Sequence, residues 1–181
     1  MARAIHALGT IRELSVSEQG LHRDHLLRLD ADSRRDRFNG VVDDAFIEAY
    51  SQRCFAGRTR VFAFVDRRGL VRGAGELHAP TPPGEPAEIA FSVEDGFKNA
   101  GIGTRLFEAV LAAARYQRFP ELRITSSAAN QAMRSLAGKF GAVFAFEQGE
   151  VTGLIPVPAG KADIPVRRPA PLYGWEAIPA E

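Results

Sequence analysis

The stretch "FKNAGIGTRL", residues 97 to 106, sets glycines at 101 and 103 directly ahead of a run of apolar residues at helical spacing. Backbone without side chains can be approached closely. At a helix N-terminus the first N–H groups lack intrahelical partners and the dipole favours negative charge, so a phosphate or pyrophosphate could lie against them, with the Thr104 hydroxyl as a further donor. A tight strand-to-helix turn that needs free φ angles would use the same glycines. Two familiar phosphate motifs do not fit. A Walker loop wants Lys-Ser/Thr after its last glycine, where this chain has Thr104-Arg105, and a dinucleotide fingerprint wants glycine or alanine where Leu106 stands. Of the four histidines (His6, His22, His25 and His78), only His22 and His25 are close in sequence. They lack an acidic third ligand at convincing spacing, and no metal site is expected.

The elements that would hold this loop are readable around it. "TIRELS" reads as a strand and "VSEQGLHRDHLLRL" as a helix with Leu21, Leu26, Leu27 and Leu29 on one face. "DADSRRDRFNG" reads as a polar, turn-rich connection, its "DSRRDR" charges forming a solvated face. "VDDAFIEAYSQRCF" then reads as a helix carrying Asp43 and Asp44 in its first turn and presenting Ala45, Phe46, Ala49, Tyr50 and Cys54 on one side. "RTRVFAFVD" and "LVRGAGELHA" form a hairpin that ends in the proline-rich "APTPPGEP". From residue 87 the chain alternates, with Ala87, Ile89, Phe91 and Val93 on one face and Glu88, Ala90, Ser92 and Glu94 on the other. Ile102, Leu106, Val110 and Ala113 mark the helix after the glycines. It is followed by a strand "ELRITSS", a helix "NQAMRSLAGKFGAVF" stopped by Gly141, and a last hairpin "VFAFEQ" and "VTGLIPV".

Composition narrows the classes. The 181 residues are 45% hydrophobic and 25% charged, which suits one soluble domain with a real core. A formal net charge of +1 argues against nucleic-acid and membrane-surface partners. The single cysteine, Cys54, reads as a buried packing thiol in a reducing, cytoplasmic setting. No apolar run is long enough to span a bilayer, and the chain is expected to be soluble and unprocessed.

"AEIAFSVEDGFKNAGIGTRLFEAVLAAAR" followed by "NQAMRSLAGKFGAVF" resembles the GCN5-related N-acetyltransferase (GNAT) superfamily, whose acyl-CoA loop is written Q/R-x-x-G-x-G/A. Strand, loop, helix, strand and Asn-initiated helix match in order over residues 86 to 146. "LDADSRRDRFNG" ahead of an acidic helix is similar to the corresponding segment of bacterial protein lysine acetyltransferases and extends the likeness over residues 10 to 156. The resemblance implies an α/β (α+β) fold with a mixed, mostly antiparallel sheet of six or seven strands, splayed between two central parallel strands and flanked by helices. A single domain over 1–156 and a proline-rich tail over 157–181 complete the expected layout.

It also implies roles. The backbone from Lys98 through Asn99, Ala100, Gly101, Ile102 and Gly103 to Thr104 would cradle the CoA pyrophosphate. The strand edge at Phe91, Ser92 and Val93 would pair with the pantetheine arm, and Asn130 and Met133 would meet that arm from the following helix. Asn130 serves equally well as a helix cap. Two departures stand out: the loop has Lys98 where Gln or Arg is usual and Ala100 where a basic residue is common, and Ala137 stands where many members carry a tyrosine general acid. In lysine acetyltransferase-like domains a glutamate base takes over, and it maps to Glu88, which otherwise reads as a surface acid. Partial burial beside the splay would raise its pKa and suit it to take a proton from an attacking amine. The implied co-substrate is acetyl-CoA and the acceptor a primary amine of a protein lysine or a small molecule. The alternative is a catalytically silent acyl-CoA sensor. Asp30, Asp32, Asp43 and Asp44 would either attract a cationic acceptor or act as ordinary caps and solvated acids. The tail's Leu172, Tyr173, Trp175 and Ile178 call for a surface, either on this domain or on a second copy in a homodimer.

Overall fold

The computed structural model describes residues 8–147 and 149–158. Seven strands form one sheet: β1 (Gly9–Glu13), β2 (Thr59–Asp66), β3 (Val71–His78), β4 (Ala87–Val93), β5 (Glu121–Ser127), β6 (Val143–Glu147) and β7 (Glu150–Pro156), in the order β1-β2-β3-β4-β5-β7-β6. Five α-helices flank it: α1 (Gln19–Leu27), α2 (Ala31–Phe38), α3 (Asp44–Ala56), α4 (Ile102–Tyr116) and α5 (Gln131–Gly138). All neighbouring strands are antiparallel except β4 and β5. That parallel pair follows from the chain order, because β4, α4 and β5 make one crossover unit. No helix among the described residues is long and apolar enough to cross a membrane.

The alternation in β4 sorts its side chains as the sequence indicates. Ala87, Ile89 and Phe91 join the main core with Ile102, Leu106, Phe107 and Val110 of α4. A column of rings ties this layer together: Phe91 stacks on Phe107 at 4.9 Å and Phe107 on Phe140 at 4.1 Å. The helix can lie this close because β3 offers glycine beneath it. A Cβ on Gly75 would sit 2.9 Å from the Phe91 ring and 3.1 Å from Val110 Cγ2.

Two readings of the N-terminal half are corrected. The segment taken as a turn-rich connection contains α2, capped by the Asp30 side chain, which accepts from the Ser33 N–H, and closed by Asn39 in the left-handed region at φ 52°. Its charges hide the helix because they do not form an apolar stripe. They are not all solvated either: the Arg37 side chain is only 7% exposed. In α3 the buried face is Ile47, Ser51 and Cys54, whereas Ala45, Phe46 and Ala49 are exposed. The apolar count favoured the wrong side because Ser51 is buried for its hydrogen bonds. The tail from residue 159 on, with Tyr173 and Trp175, lies outside the described residues.

The glycine floor gives a direct test. Gly75→Val should cost about 1–3 kcal/mol of stability through overpacking against Phe91 and Val110. Urea unfolding measures it, and an unchanged midpoint would show that the helix has room to move.

Candidate active site

β4 and β5 pair only at Ala87 with Leu122 and Glu88 with Arg123, and beyond those rungs the strands part. On its other side β4 remains bonded to β3, and the Glu94 N–H donates to the Arg72 carbonyl. Antiparallel pairing alternates, so the even residues of β4 spend their backbone groups on β3, while Ile89, Phe91 and Val93 turn theirs toward the opening. The opening is a cleft lined by Ile89, Ala90 and Phe91 from β4, Ile124, Thr125 and Ser126 from β5, Asn130 and Met133 from α5, and Asp36 and Arg37 from α2.

At the end of β4 a short 3-10 turn, Asp95–Phe97, leads into the loop. Asn99 at φ 60° and Gly101 at φ 80° are both left-handed, and Gly101 is the N-cap of α4. The first intrahelical bond runs from the Arg105 N–H to the Gly101 carbonyl, which leaves the amides from Ile102 to Thr104 at the helix mouth without an intrahelical acceptor. A chain that reverses through two left-handed residues into a helix aims its amides at one place, the geometry of an anion cradle. Lys98 extends to Ser33 Oγ at 2.8 Å and Asp95 at 3.3 Å, linking the loop to α2.

Asn130 is an N-cap, its Oδ1 accepting from the Met133 N–H at 2.9 Å, and it also lines the cleft. Glu88 does not meet its expectation of partial burial. It is 60% exposed on the last paired rung and bonded to Arg123 at 3.1 Å. Asp30 and Asp43 are caps, Asp44 pairs with Arg34 at 2.7 Å, and Asp32 lies 3.8 Å from Arg35. Ala137 is fully buried in the core.

Sequence reading missed the groups beneath α1. His22 and His25, fully buried, each reach a carboxylate far along the chain: His22 Nε2 meets Glu76 at 3.0 Å and His25 Nδ1 meets Glu94 at 3.2 Å. Their other nitrogens meet Ser51 at 3.1 Å and Ser92 at 2.9 Å. Spacing i, i+3 on one helix face was the available signal, but the acids lie 54 and 69 residues away. Burial pushes Glu76 up, yet the Arg37 charge and hydrogen bonds from His22 and His78 hold it well below the usual carboxylate range. Glu94, also pushed up by burial, is brought to about 2 by hydrogen bonds from His25 and Arg72 and the charge of Arg28. Burial lowers His25 despite its Glu94 partner and raises the Cys54 thiol to about 12. Cys54, Glu76 and His78 bring ligand-type atoms within 4.8 Å of one another, but Arg37 and Tyr50 already bond to the same carboxylate.

With this geometry in hand, comparison with known proteins fixes the class. The family described as "Acetyltransferase (GNAT) domain" matches residues 11–143. The chain belongs to the GNAT acetyltransferase family. No curated protein matches. Among solved structures, the GNAT domain of S. lividans PAT is 18% identical with a TM-score of 0.68, covering 81% of this chain and 89% of that one. Ribosomal-protein-S5-alanine acetyltransferase from Vibrio fischeri is 14% identical with a TM-score of 0.63, over 80% and 90% of the two chains. A phosphinothricin acetyltransferase from Sinorhizobium meliloti, in complex with AcCoA, is 15% identical with a TM-score of 0.61, over 86% and 91%. At these identities they share the fold.

The buried histidine yields a pH prediction. His25 is held neutral, so its contribution is full above its ordinary value of 6.5 and erodes as pH falls below it; that of Glu94 erodes only below 4.5. His25→Gln should therefore flatten the loss of stability between about pH 6.5 and 5. Urea unfolding across that range measures the slope, and an unchanged slope would assign it to other groups.

Proposed function

We propose that the chain transfers the acetyl group of acetyl-CoA to a primary amine by direct attack. The observation that carries this reading is the junction of two features: a parallel strand pair that opens after one short ladder, and a two-glycine helix mouth at the end of the same strand. The amides from Asn99 to Thr104 would take the pyrophosphate; the Lys98 N–H, expected to join them, already donates to the Asp95 carbonyl at 3.1 Å. The backbone groups of Ile89, Phe91 and Val93 would accept the amide-bearing pantetheine arm as an added strand, with Asn130 and Met133 against it from α5. The thioester then lies in the cleft.

An alkyl ammonium, with a pKa near 10.4, cannot attack until it loses a proton. Glu88 takes that proton through water, since its exposed carboxylate shares the face of Ala90 but lies outside the cleft lining. The amine nitrogen bonds to the acetyl carbon, a β4 amide near Val93 steadies the oxyanion, the C–S bond breaks, and the CoA thiolate takes a proton from solvent. No tyrosine lines the cleft among the described residues, so solvent supplies what a phenol would.

The silent-sensor reading keeps two supporting observations: Ala137 sits in the core, and Glu88 is neither buried nor in the cleft. Two variants separate the readings. Gly101→Leu should abolish acyl-CoA binding while leaving the fold largely intact, because a side chain at φ 80° is strained and enters the pyrophosphate space. Calorimetry that finds unchanged affinity would remove the loop from the site. Glu88→Gln should lower turnover about 10² to 10⁴-fold at neutral pH, with acyl-CoA affinity kept and partial rescue as pH rises. Wild-type turnover in that variant would take Glu88 out of the chemistry, and no turnover by the native chain across an amine panel would favour the sensor.

A further inference from the structure

One group in the cleft wall has no task in the transfer step just described. Arg37 lies in the last turn of α2 and lines the cleft with a side chain only 7% exposed. A single nitrogen, Nη2, makes its hydrogen bonds, to Tyr50 Oη at 2.6 Å and Glu76 Oε2 at 2.7 Å. Nε is buried with no partner, and no bond from Nη1 is found among the described residues. The guanidinium cannot swing out to find water: it packs on the rings of Phe38 at 4.8 Å and Tyr50 at 5.1 Å, and Glu76 anchors it from below. A buried donor left unmade costs the desolvation of that group, and a fork of donors held rigid matches a carboxylate.

The charge on Glu76 does not use up Arg37. His22, His78 and Tyr50 also bond to that carboxylate, so its compensation is shared and the outer donors of the guanidinium remain unspent. The preceding residue, Asp36, is exposed and lines the same cleft. One helix turn therefore offers an anion and a cation side by side on the wall facing the splayed strands.

We propose that this pair selects a zwitterionic acceptor: Arg37 binds the carboxylate of a small free amino acid, and Asp36 receives its ammonium at the cleft mouth before the amine attacks. Arg37 is thus a specificity-determining residue, and the acceptor class is a small amino acid rather than an isolated amine. The inference rests on the acetyl-transfer reading and deepens it.

The test compares matched acceptors on the full native chain: amino acids of varied side chain, each beside its carboxamide and its decarboxylated amine. At least one free acid should show kcat/KM at least about tenfold above both partners, with the difference in KM, because the site then leaves the Arg37 donors unpaired. Arg37→Gln should erase that preference. Equal rates for acid, amide and amine overturn the proposal, as does an Arg37→Gln variant that slows all three alike, which would put the guanidinium on the thioester instead. Should that variant not fold, the comparison within the native chain decides alone. Calorimetry on CoA-saturated protein separates the two layers. Binding of a free acid but not its carboxamide, without acetylation, upholds the Arg37 site and defeats the transfer reading. Neither binding nor turnover of any free acid overturns the Arg37 site itself.

Discussion

A parallel strand pair that stops pairing in mid-sheet is costly, because each backbone group left unmatched in a buried setting forgoes about 1–3 kcal/mol unless something replaces its partner. Here β4 and β5 keep only the rungs at Ala87 and Glu88, and the odd residues from Ile89 to Val93 face the gap. The rest of the molecule holds the gap open. On one face α4 is drawn onto the glycines of β3 and the Phe91-Phe107-Phe140 column, which fixes the core side of β4. On the other, α1 is fastened by two buried histidines to carboxylates on β3 and just beyond β4. With both faces and the β3 edge committed, β4 cannot drift over to close on β5.

The second face is an ionic layer where a hydrophobic one would serve stability as well. Buried ion pairs recover their desolvation cost only when every partner is satisfied. Around Glu76 and Glu94 nearly every donor is placed, and the conspicuous exception, Arg37 Nε, lies in α2. The layer carries α2 to the cleft and leaves a guanidinium there with donors in hand. The same layer explains why the acidic residues first in line to meet a cationic acceptor, Asp30 and Asp43, turn out to be caps, while the acid that reaches the cleft is Asp36.

Much of this was legible in the chain. Strict alternation from 87 to 94 and helical spacing from 102 to 115 specify β4 and α4, and the loop between them has glycine where φ is 80°. The motif order was enough to identify the family, because loop geometry and strand alternation are local properties. Three things were not local. Helix α2 lacks an apolar stripe and is recognisable mainly by its caps. The histidine partners are 54 and 69 residues away, so nothing local marks Glu76 and Glu94 as buried. Glu88 stands in an alternating strand whose pattern sorts the two faces but does not say how deeply each position on a face is buried, and its side chain is 60% exposed.

On the proposed reading, the odd backbone groups of β4 stay unpaired until an acyl-CoA arm completes them. Amide hydrogen exchange tests it residue by residue. In the free protein the Phe91 and Val93 amides should exchange much faster than those of Ala90 and Ser92, which bond to β3. Saturation with acetyl-CoA should slow Phe91 and Val93 selectively, whereas adenosine 3′,5′-bisphosphate, which lacks the pantetheine arm, should leave them fast. Phe91 and Val93 amides as protected as their neighbours in the free protein, or unmoved by acetyl-CoA at saturation, would contradict the account.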